Sequence, residues 1–526
     1  MIEPGALPPP ESALASLGGK ALRLARLASA GMPVPAGFVL PSTTRLRGAE
    51  GGAASVADLR AFVGGAMERL EGKTGLQFGS PRRPLLVSVR SGAAVSMPGM
   101  LETVLNVGLT RATLPGLVEL TGNPHLAWDC FARVIEAFAT TVRGADRAPF
   151  GAVEADVLRS DGAASRTELD TLRLRDLVFE LLKVFESVTG SAFPEDPYEQ
   201  LAQAVDAVFR SWDSQQATRY REIHALHDLP GTAVTIQQMV YGNSGARSGA
   251  GVGFTRDPAT GDKTLYMEFA FSAQGEDVVS GRRRLEPVTQ LQRQMPHVVQ
   301  ALQAMATRLE ETFHDAQDFE FTVDESRLYL LQTRDATCAP WARLKITVDL
   351  GREGVITPAQ ALARVADLDV STIARRRLAA GADGALARGV PASMGVAAGT
   401  IALTAEAARA AAAAGRHVIF VRGDLETADL DGIASADGIL TARGGRTSHA
   451  AVIARELGKV AIVGCNELTI ASDERSCRLG GRRLEAGAEI TLDGESGRVY
   501  PGALDAVEER PLSELAQLEE WKATLA

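Results

Sequence analysis

Cysteine is scarce in this chain of 526 residues, with four in all, at positions 130, 338, 465 and 477, and none at a metal-ligand spacing. A disulfide framework and a zinc knuckle are therefore not expected, and a reducing compartment is. Long apolar runs are missing as well. No stretch approaches the roughly 20 residues of a membrane span, and the N-terminus, with Glu3 and prolines at 8 to 10, has no apolar core of the signal-peptide kind. A cytoplasmic location is the expectation. Basic excess is also lacking: 65 Asp and Glu outnumber 55 Lys and Arg, a formal charge of −10, which argues against a nucleic-acid polyanion as general partner. Local basic pockets for phosphate stay open. Finally, neither a Walker-type loop nor a dinucleotide fingerprint occurs. The glycine-rich run Gly242–Gly253 has strand-like flanks and no helix with Lys-Ser/Thr behind it. It reads as a hairpin turn, either a lid able to bring backbone N–H groups against a polyphosphate or simply a flexible loop.

What is present suffices for several domains, since 45% of the residues are apolar. From Leu17 to about Asn106 the pattern is mixed, with a helix over Lys20–Ala30 and a strand at Pro84–Val89, one lobe of an α/β unit. Residues from about 111 to 229 read as amphipathic helices, a helical insertion. From Thr232 strands take over, at Ala233–Val240, Gly251–Thr255, Thr264–Phe269, Phe319–Val323 and Leu328–Gln332. A charged, alanine-rich stretch from about 341 to 380 reads as a helical connector. Gly389–Tyr500 then alternates short strands and helices as a separate domain, and Glu508–Ala526 forms a charged amphipathic tail.

The most informative segment is Gly444-Gly-Arg-Thr-Ser-His-Ala450, which lies between a strand expected at Asp437–Thr441 and another at Val460–Gly464. Thr447 or Ser448 can cap a helix that starts at His449, and Gly458 can end it. Such a histidine meets free backbone N–H groups and the positive end of the helix dipole, a setting that welcomes a phosphoryl group and keeps the imidazole nucleophilic. Taken alone, it is equally an incidental residue on a capped helix.

Three further groups carry polar chemistry. In Leu86-Val-Ser-Val-Arg-Ser-Gly-Ala93, followed by Ser96-Met-Pro-Gly-Met100, a strand ends in Arg90 and a flexible loop, which suits a guanidinium aimed at phosphate oxygens or a surface arginine after an edge strand. Asp318 and Glu320 share one face of a strand, and Gln332 and Arg334 share one face of its neighbour. Carboxylate plus amide oxygen is a hard-ligand set for Mg²⁺ held jointly with phosphates, and Arg334 can offset the charge of a transferring phosphoryl group. Cross-strand polar pairing on a solvated face is the plainer alternative. Lys20, after Gly18-Gly19, is a further candidate phosphate contact.

Together these motifs, with Asp196-Pro-Tyr-Glu-Gln200, Phe254-Thr-Arg-Asp-Pro258, Ala273-Gln-Gly-Glu-Asp-Val-Val279, Gln317-Asp-Phe-Glu-Phe-Thr322 and Leu331-Gln-Thr-Arg334, resemble the pyruvate phosphate dikinase family over nearly the whole chain. The resemblance implies a multidomain α/β (α+β) protein. Residues 1–335 would form an ATP-grasp nucleotide-binding domain with the insertion at about 111–229, 336–384 a helical linker, 385–503 a swivelling β/β/α phosphohistidine domain and 504–526 a tail. It implies that the β,γ-diphosphoryl unit of ATP passes to His449 with release of AMP, that phosphate removes the outer phosphoryl as pyrophosphate, and that pyruvate becomes phosphoenolpyruvate on a third, barrel domain. Carried over residue by residue, His449, Arg334 and Arg90 are the catalytic candidates. Lys20, Arg90, Glu268, Gln274, Asp318, Glu320, Gln332 and Arg334 are the nucleotide-site candidates, with Glu320 and Gln332 as ligands for Mg²⁺. The Ser96–Met100 loop favours phosphate, rather than water, as second acceptor.

Two departures stand out. Only 26 residues follow Tyr500, against roughly 250 for a barrel, so the ATP and phosphate half reactions are expected here and the pyruvate step on a separate barrel subunit or another acceptor. Arg446 stands inside the Gly-Gly-x-Thr-Ser-His element where the family often carries an apolar residue; it can pair with phosphate on His449 or with Asp or Glu elsewhere. Thr447 occupies a position that a regulatory kinase modifies in some members, although it can simply cap the helix. Other readings are a stand-alone small-molecule phosphotransferase and a non-catalytic regulatory partner of a full-length dikinase.

Overall fold

The computed structural model describes residues 1–3, 5–44, 56–95, 97, 100–226, 228–279, 288–379, 383–425, 429–446 and 448–525. They divide into two compact units, Met1–Gly249 with Phe321–Thr333, and Ala250–Glu320 with Arg334–Ala526.

In the first unit, β-branched and aromatic runs build an antiparallel sheet in the order Gly37–Leu40, Ala233–Gln238, Val87–Gly92, Thr103–Val107. Helices cover it: Leu14–Ser29 ahead of the first strand, then Pro124–Ala137 and Pro197–Ser211 within the expected insertion, with Thr171–Thr189 laid against Pro124–Ala137. Capping decides where these helices start, because the Asn123, Asp170 and Asp196 side chains each accept a first-turn backbone N–H. Phe131, Phe138 and Phe185 meet Phe193 edge to face within one core that also holds Val87 and Val89 of the sheet. The insertion is thus part of the main core of this unit.

The glycine-rich run does not close a hairpin. Ala233–Gln238 pairs with Gly37–Leu40 and Val87–Gly92, while Gly249–Phe254 belongs to another sheet, ordered Arg327–Asp335, Gln317–Asp324, Gly249–Phe254, Tyr266–Phe271. Both edges of the earlier strand are taken, so its successor in sequence cannot pair with it.

In the second unit, an eight-stranded mixed sheet runs in the order Ala387–Arg388, Arg498–Pro501, Glu489–Asp493, Val396–Ala402, Val418–Arg422, Gly438–Thr441, Val460–Val463, Val390–Ser393. Four central strands are parallel, which requires crossover helices, and Ala405–Ala413, Leu430–Ser435 and His449–Glu456 are those helices. Continuous apolar strands such as Val418-Ile-Phe-Val421 and Val460-Ala-Ile-Val463 are buried on both faces, as parallel strands require.

The stretch expected as a helical connector has a core of its own. Helix Pro340–Arg352 buries Ala342, Leu344, Ile346, Val348 and Leu350, and the C-terminal helix Leu512–Leu525 lays Trp521 over Gly351, where an added Cβ would come within 2.4 Å of the indole. Leucines and isoleucines on that helix are too apolar for a solvated connector. Entry to and exit from the 385–503 region run side by side as an antiparallel ribbon, Arg375–Leu378 against Ala506–Glu509, with Arg375 paired to Glu509 at 2.8 Å.

Candidate functional site

Within the first unit, two distant motifs meet. Gly18 breaks the helix Leu14–Ser29 with φ 77°, and a Cβ there would fall 2.0 Å from the carbonyl oxygen of Gly92. The Gly19 N–H donates to Ala93 O at 2.9 Å, so Gly-Gly-Lys is seated directly on Ser-Gly-Ala of the Arg90 strand. Lys20 Cβ thereby lies 3.8 Å from where a Cβ on Gly92 would stand, two residues past Arg90 on a strand paired along both sides, and the Arg90 guanidinium donates to Leu331 O at 3.4 Å, beside Gln332. Gly18→Ala is expected to cost about 2 kcal/mol or more, from the left-handed backbone together with the collision at Gly92. Urea unfolding checks it; a loss under half that figure would show that the approach relaxes freely.

The glycine-rich run serves a different end of the same unit. Ser244 Oγ and the Tyr241 N–H both donate to the Asp324 carboxylate, at 2.7 and 3.0 Å, and the Glu325 N–H donates to Ser248 Oγ at 3.0 Å. These bonds clasp the run to the tight turn between Gln317–Asp324 and Arg327–Asp335, where Glu325 and Ser326 adopt positive φ. Gln332 lies five residues beyond Arg327, about 17 Å along the strand that leads away from this turn. A lid over phosphates held near Gln332 is not what this run forms.

In the second unit, Arg334 Nε donates to Asp318 Oδ2 at 2.8 Å. Burial pushes the Asp318 carboxyl up from its ordinary value, and Arg334 pulls it back. Glu320, two residues on and half-buried, shares the Asp318 face by strand alternation. Glu268, buried on the strand Tyr266–Phe271, accepts from Tyr266 Oη at 2.7 Å and from the Arg446 N–H at 2.7 Å. Burial, with Glu268 beside it, raises the Tyr266 phenol well above its ordinary range, so it remains a donor. Gln274 is buried just ahead of the short helix Gly275–Val279, where its N–H donates to Asp277 at 3.3 Å.

The histidine segment folds locally as strand, glycine turn and helix. Gly438–Thr441 and Val460–Val463 are parallel neighbours, so His449–Glu456 is the crossover between them and its N-terminus lies at the carboxyl end of a strand, the usual crevice of parallel α/β sheets. Ser448 is the N-cap, accepting from the Ala451 N–H at 3.4 Å. The His449 side chain, Thr447, and Ser96, Pro98 and Gly99 of the loop after Arg90 lie outside the described positions.

Sequence reasoning missed three residues around this loop. Asp257 Oδ2 accepts from Arg446 Nη1 at 2.5 Å, Tyr266 lies 4.4 Å under the Arg446 guanidinium, and the fully buried Arg455 donates to Arg446 O at 2.8 Å and to Thr337 O at 3.2 Å. Asp257 falls in the motif Phe254–Pro258 and Tyr266 in the strand expected at Thr264–Phe269, both already noted. No local signal linked them to a loop nearly two hundred residues away.

Comparison with known proteins finds two family models and a set of long relatives. A sequence model of the family described as "Pyruvate phosphate dikinase, AMP/ATP-binding domain" matches residues 55–297 and 284–350, and one described as "PEP-utilising enzyme, mobile domain" matches 414–497. The pyruvate, phosphate dikinase of Clostridium symbiosum is 39% identical over 496 residues, covering 94% of this chain and 57% of that protein. The chloroplastic pyruvate, phosphate dikinase 1 of Zea mays is 40% identical over 489 residues, 92% of this chain and 52% of its own length. The Rhizobium meliloti pyruvate, phosphate dikinase is 37% identical over 525 residues, 96% of this chain and 58% of its own. The chain therefore spans a little over half the length of these relatives. No helix among the described residues is long and apolar enough to cross a membrane.

Proposed function

This chain belongs to the pyruvate phosphate dikinase family, and from that premise we propose that it phosphorylates its own His449 with ATP and phosphate and passes the phosphoryl group onward. The observation that carries this reading is the placement of His449 as the first residue of a crossover helix at the carboxyl end of a parallel strand. An imidazole nitrogen attacks the β-phosphorus of ATP, the bond to the α-phosphate bridging oxygen breaks, and AMP leaves with that oxygen. An oxygen of inorganic phosphate then attacks the outer phosphorus of the pyrophosphoryl-histidine. Pyrophosphate departs and phospho-His449 remains.

Lys20 and Arg90 are the proposed phosphate contacts of the first unit, and Arg334 neutralises charge on the transferring group, since phosphoryl transfer is mostly positioning and charge compensation. Glu268 and Gln274 complete the proposed nucleotide set. The donors suit a hard cation: Glu320 and Gln332 would hold Mg²⁺, which commonly takes one or two protein oxygens and its remaining ligands from phosphates and water. When bound, it would offset charge on the polyphosphate. The ribbon Arg375–Leu378 with Ala506–Glu509 is the proposed stalk on which the 385–503 region moves. The next acceptor is pyruvate on a separate barrel subunit, or another acceptor, in the cytoplasm.

Product analysis tests the reading. With ATP alone, AMP forms once per chain; with phosphate added, pyrophosphate appears; pyruvate changes neither. Phosphoenolpyruvate made by this chain alone would overturn the partial reaction, and an AMP yield indifferent to His449 would overturn the carrier.

A further inference from the structure

We propose that Arg446 is a positioning residue, an ionic latch that seats the histidine loop on the segment Asp257–Glu268; its consequence for phosphoryl transfer rests on the function proposed above. The guanidinium reaches beyond the 385–503 region while keeping one bond within it. Its Nη1 donates to Asp257 Oδ2 at 2.5 Å, its plane lies 4.4 Å from the Tyr266 ring, and its Nε donates to Pro391 O. Both partners of the ion pair are mostly covered, with side chains 14% and 15% exposed, so the pair is only weakly screened once formed.

The receiving side is built for this contact. Asp257 Oδ1 accepts the N–H groups of Ala259 and Thr260, at 2.8 and 3.1 Å, which aims Oδ2 at the arginine. Arg256, next in sequence, is held by Glu310 and Glu353 at 2.8 Å each, so the loop that presents Asp257 is anchored from behind. Tyr266 donates to Glu268, and Glu268 in turn accepts the Arg446 backbone N–H. Its two oxygens lie 2.4 and 2.7 Å from where a Cβ on residue 445 would stand, so only glycine allows the approach. The charged groups facing one another are two carboxylates, Asp257 and Glu268, and two arginines, 446 and 455. Removing Arg446 leaves an excess of negative charge where a loop that is to receive phosphate must settle.

Docking of this kind draws two solvated charges together and is therefore sensitive to salt, whereas an apolar side chain at 446 would dock without that sensitivity. The test places fluorophores on cysteines introduced at the exposed Gln303 and Glu406, in the full chain, and reads the docked fraction by energy transfer from about 0.05 to about 0.5 M salt. In the parent protein the docked fraction falls with salt. Arg446→Met lowers the docked-to-undocked ratio about tenfold and flattens the salt response; Asp257→Asn, which keeps the turn acceptor, does the same; and the double variant adds little. Arg446→Lys restores the salt response in part. Identical curves for Arg446→Met and the parent protein would overturn the latch. Labelling of His449 from β-labelled ATP is measured in parallel. If no variant labels while energy transfer still responds to Arg446, the latch stands and the proposed phosphorylation fails; slowed labelling in Arg446→Met, recovered by Arg446→Lys, supports both.

Discussion

His449→Asn is expected to abolish incorporation of label from β-labelled ATP, by about 10³-fold or more, while the chain stays folded. Loss of the nucleophile in a covalent phosphotransfer removes the step itself rather than a fraction of its stabilisation, so no residual rate from the remaining site substitutes for it. Asparagine is tolerated at the first turn of a helix, and the Ser448 cap on Ala451 is untouched. Stability should accordingly change by no more than about 0.5 kcal/mol. The measurement is acid-labile protein-bound label after gel filtration, with thermal unfolding as the control for folding. Retained label in the variant would move the carrier role to another residue and sink the assignment.

Arg256→Met should produce the largest loss of stability in the second unit, about 3–5 kcal/mol, because it strands a buried carboxylate. Arg256 is fully buried and forks onto Glu310, itself 4% exposed, through Nε at 3.0 Å and Nη2 at 2.8 Å. Glu353, by contrast, keeps Lys263 at 2.9 Å when the arginine is gone. The asymmetry makes a second variant informative. Arg256→Met with Glu310→Leu removes both charges and should recover much of the loss, since deleting a buried pair costs far less than breaking it. Unfolding in urea, following the transition that contains this unit, checks both; a single-variant loss below about 1 kcal/mol would show that water reaches Glu310. Acid should weaken the same network. Partial burial pushes the Glu353 carboxyl up, but the hydrogen bonds from Lys263 and Arg256 outweigh it and hold the group below its ordinary value. A depressed carboxylate contributes stability that is present at neutral pH and is lost as the pH falls through about 4 and below. Glu353→Gln should therefore flatten the acid limb of the stability profile.

Much of the fold was legible because it is local. The strand, glycine turn, serine cap and helix around His449 lie where caps and alternation predict them, at Gly438–Thr441, Ser448 and His449–Glu456. The helices of the insertion likewise follow from Asn and Asp caps and a helical apolar period. The glycine-rich run was less legible: glycines and strand-like flanks look the same whether the flanking strands pair or join different sheets. Only the occupied edges of Ala233–Gln238 decide that question. The connector was misjudged for a related reason, since the apolar face of Pro340–Arg352 acquires its meaning from Trp521, far along the chain.

The candidate site divides the same way. Spacing and side-chain chemistry singled out the candidates for phosphate, a hard cation and a phosphoryl carrier, namely Lys20, Arg90, Asp318, Glu320, Gln332, Arg334 and His449, whose roles are those proposed above. Tertiary structure alone decided what those groups touch. It seats Gly18 against Gly92, sends the glycine-rich run to Asp324 and Glu325, and brings Arg446 to Glu268 and Asp257 across 178 and 189 residues of chain. The physical reason is that a helix cap or a strand period is satisfied within a few residues, whereas an ion pair is specified only once packing has brought both charges out of water together.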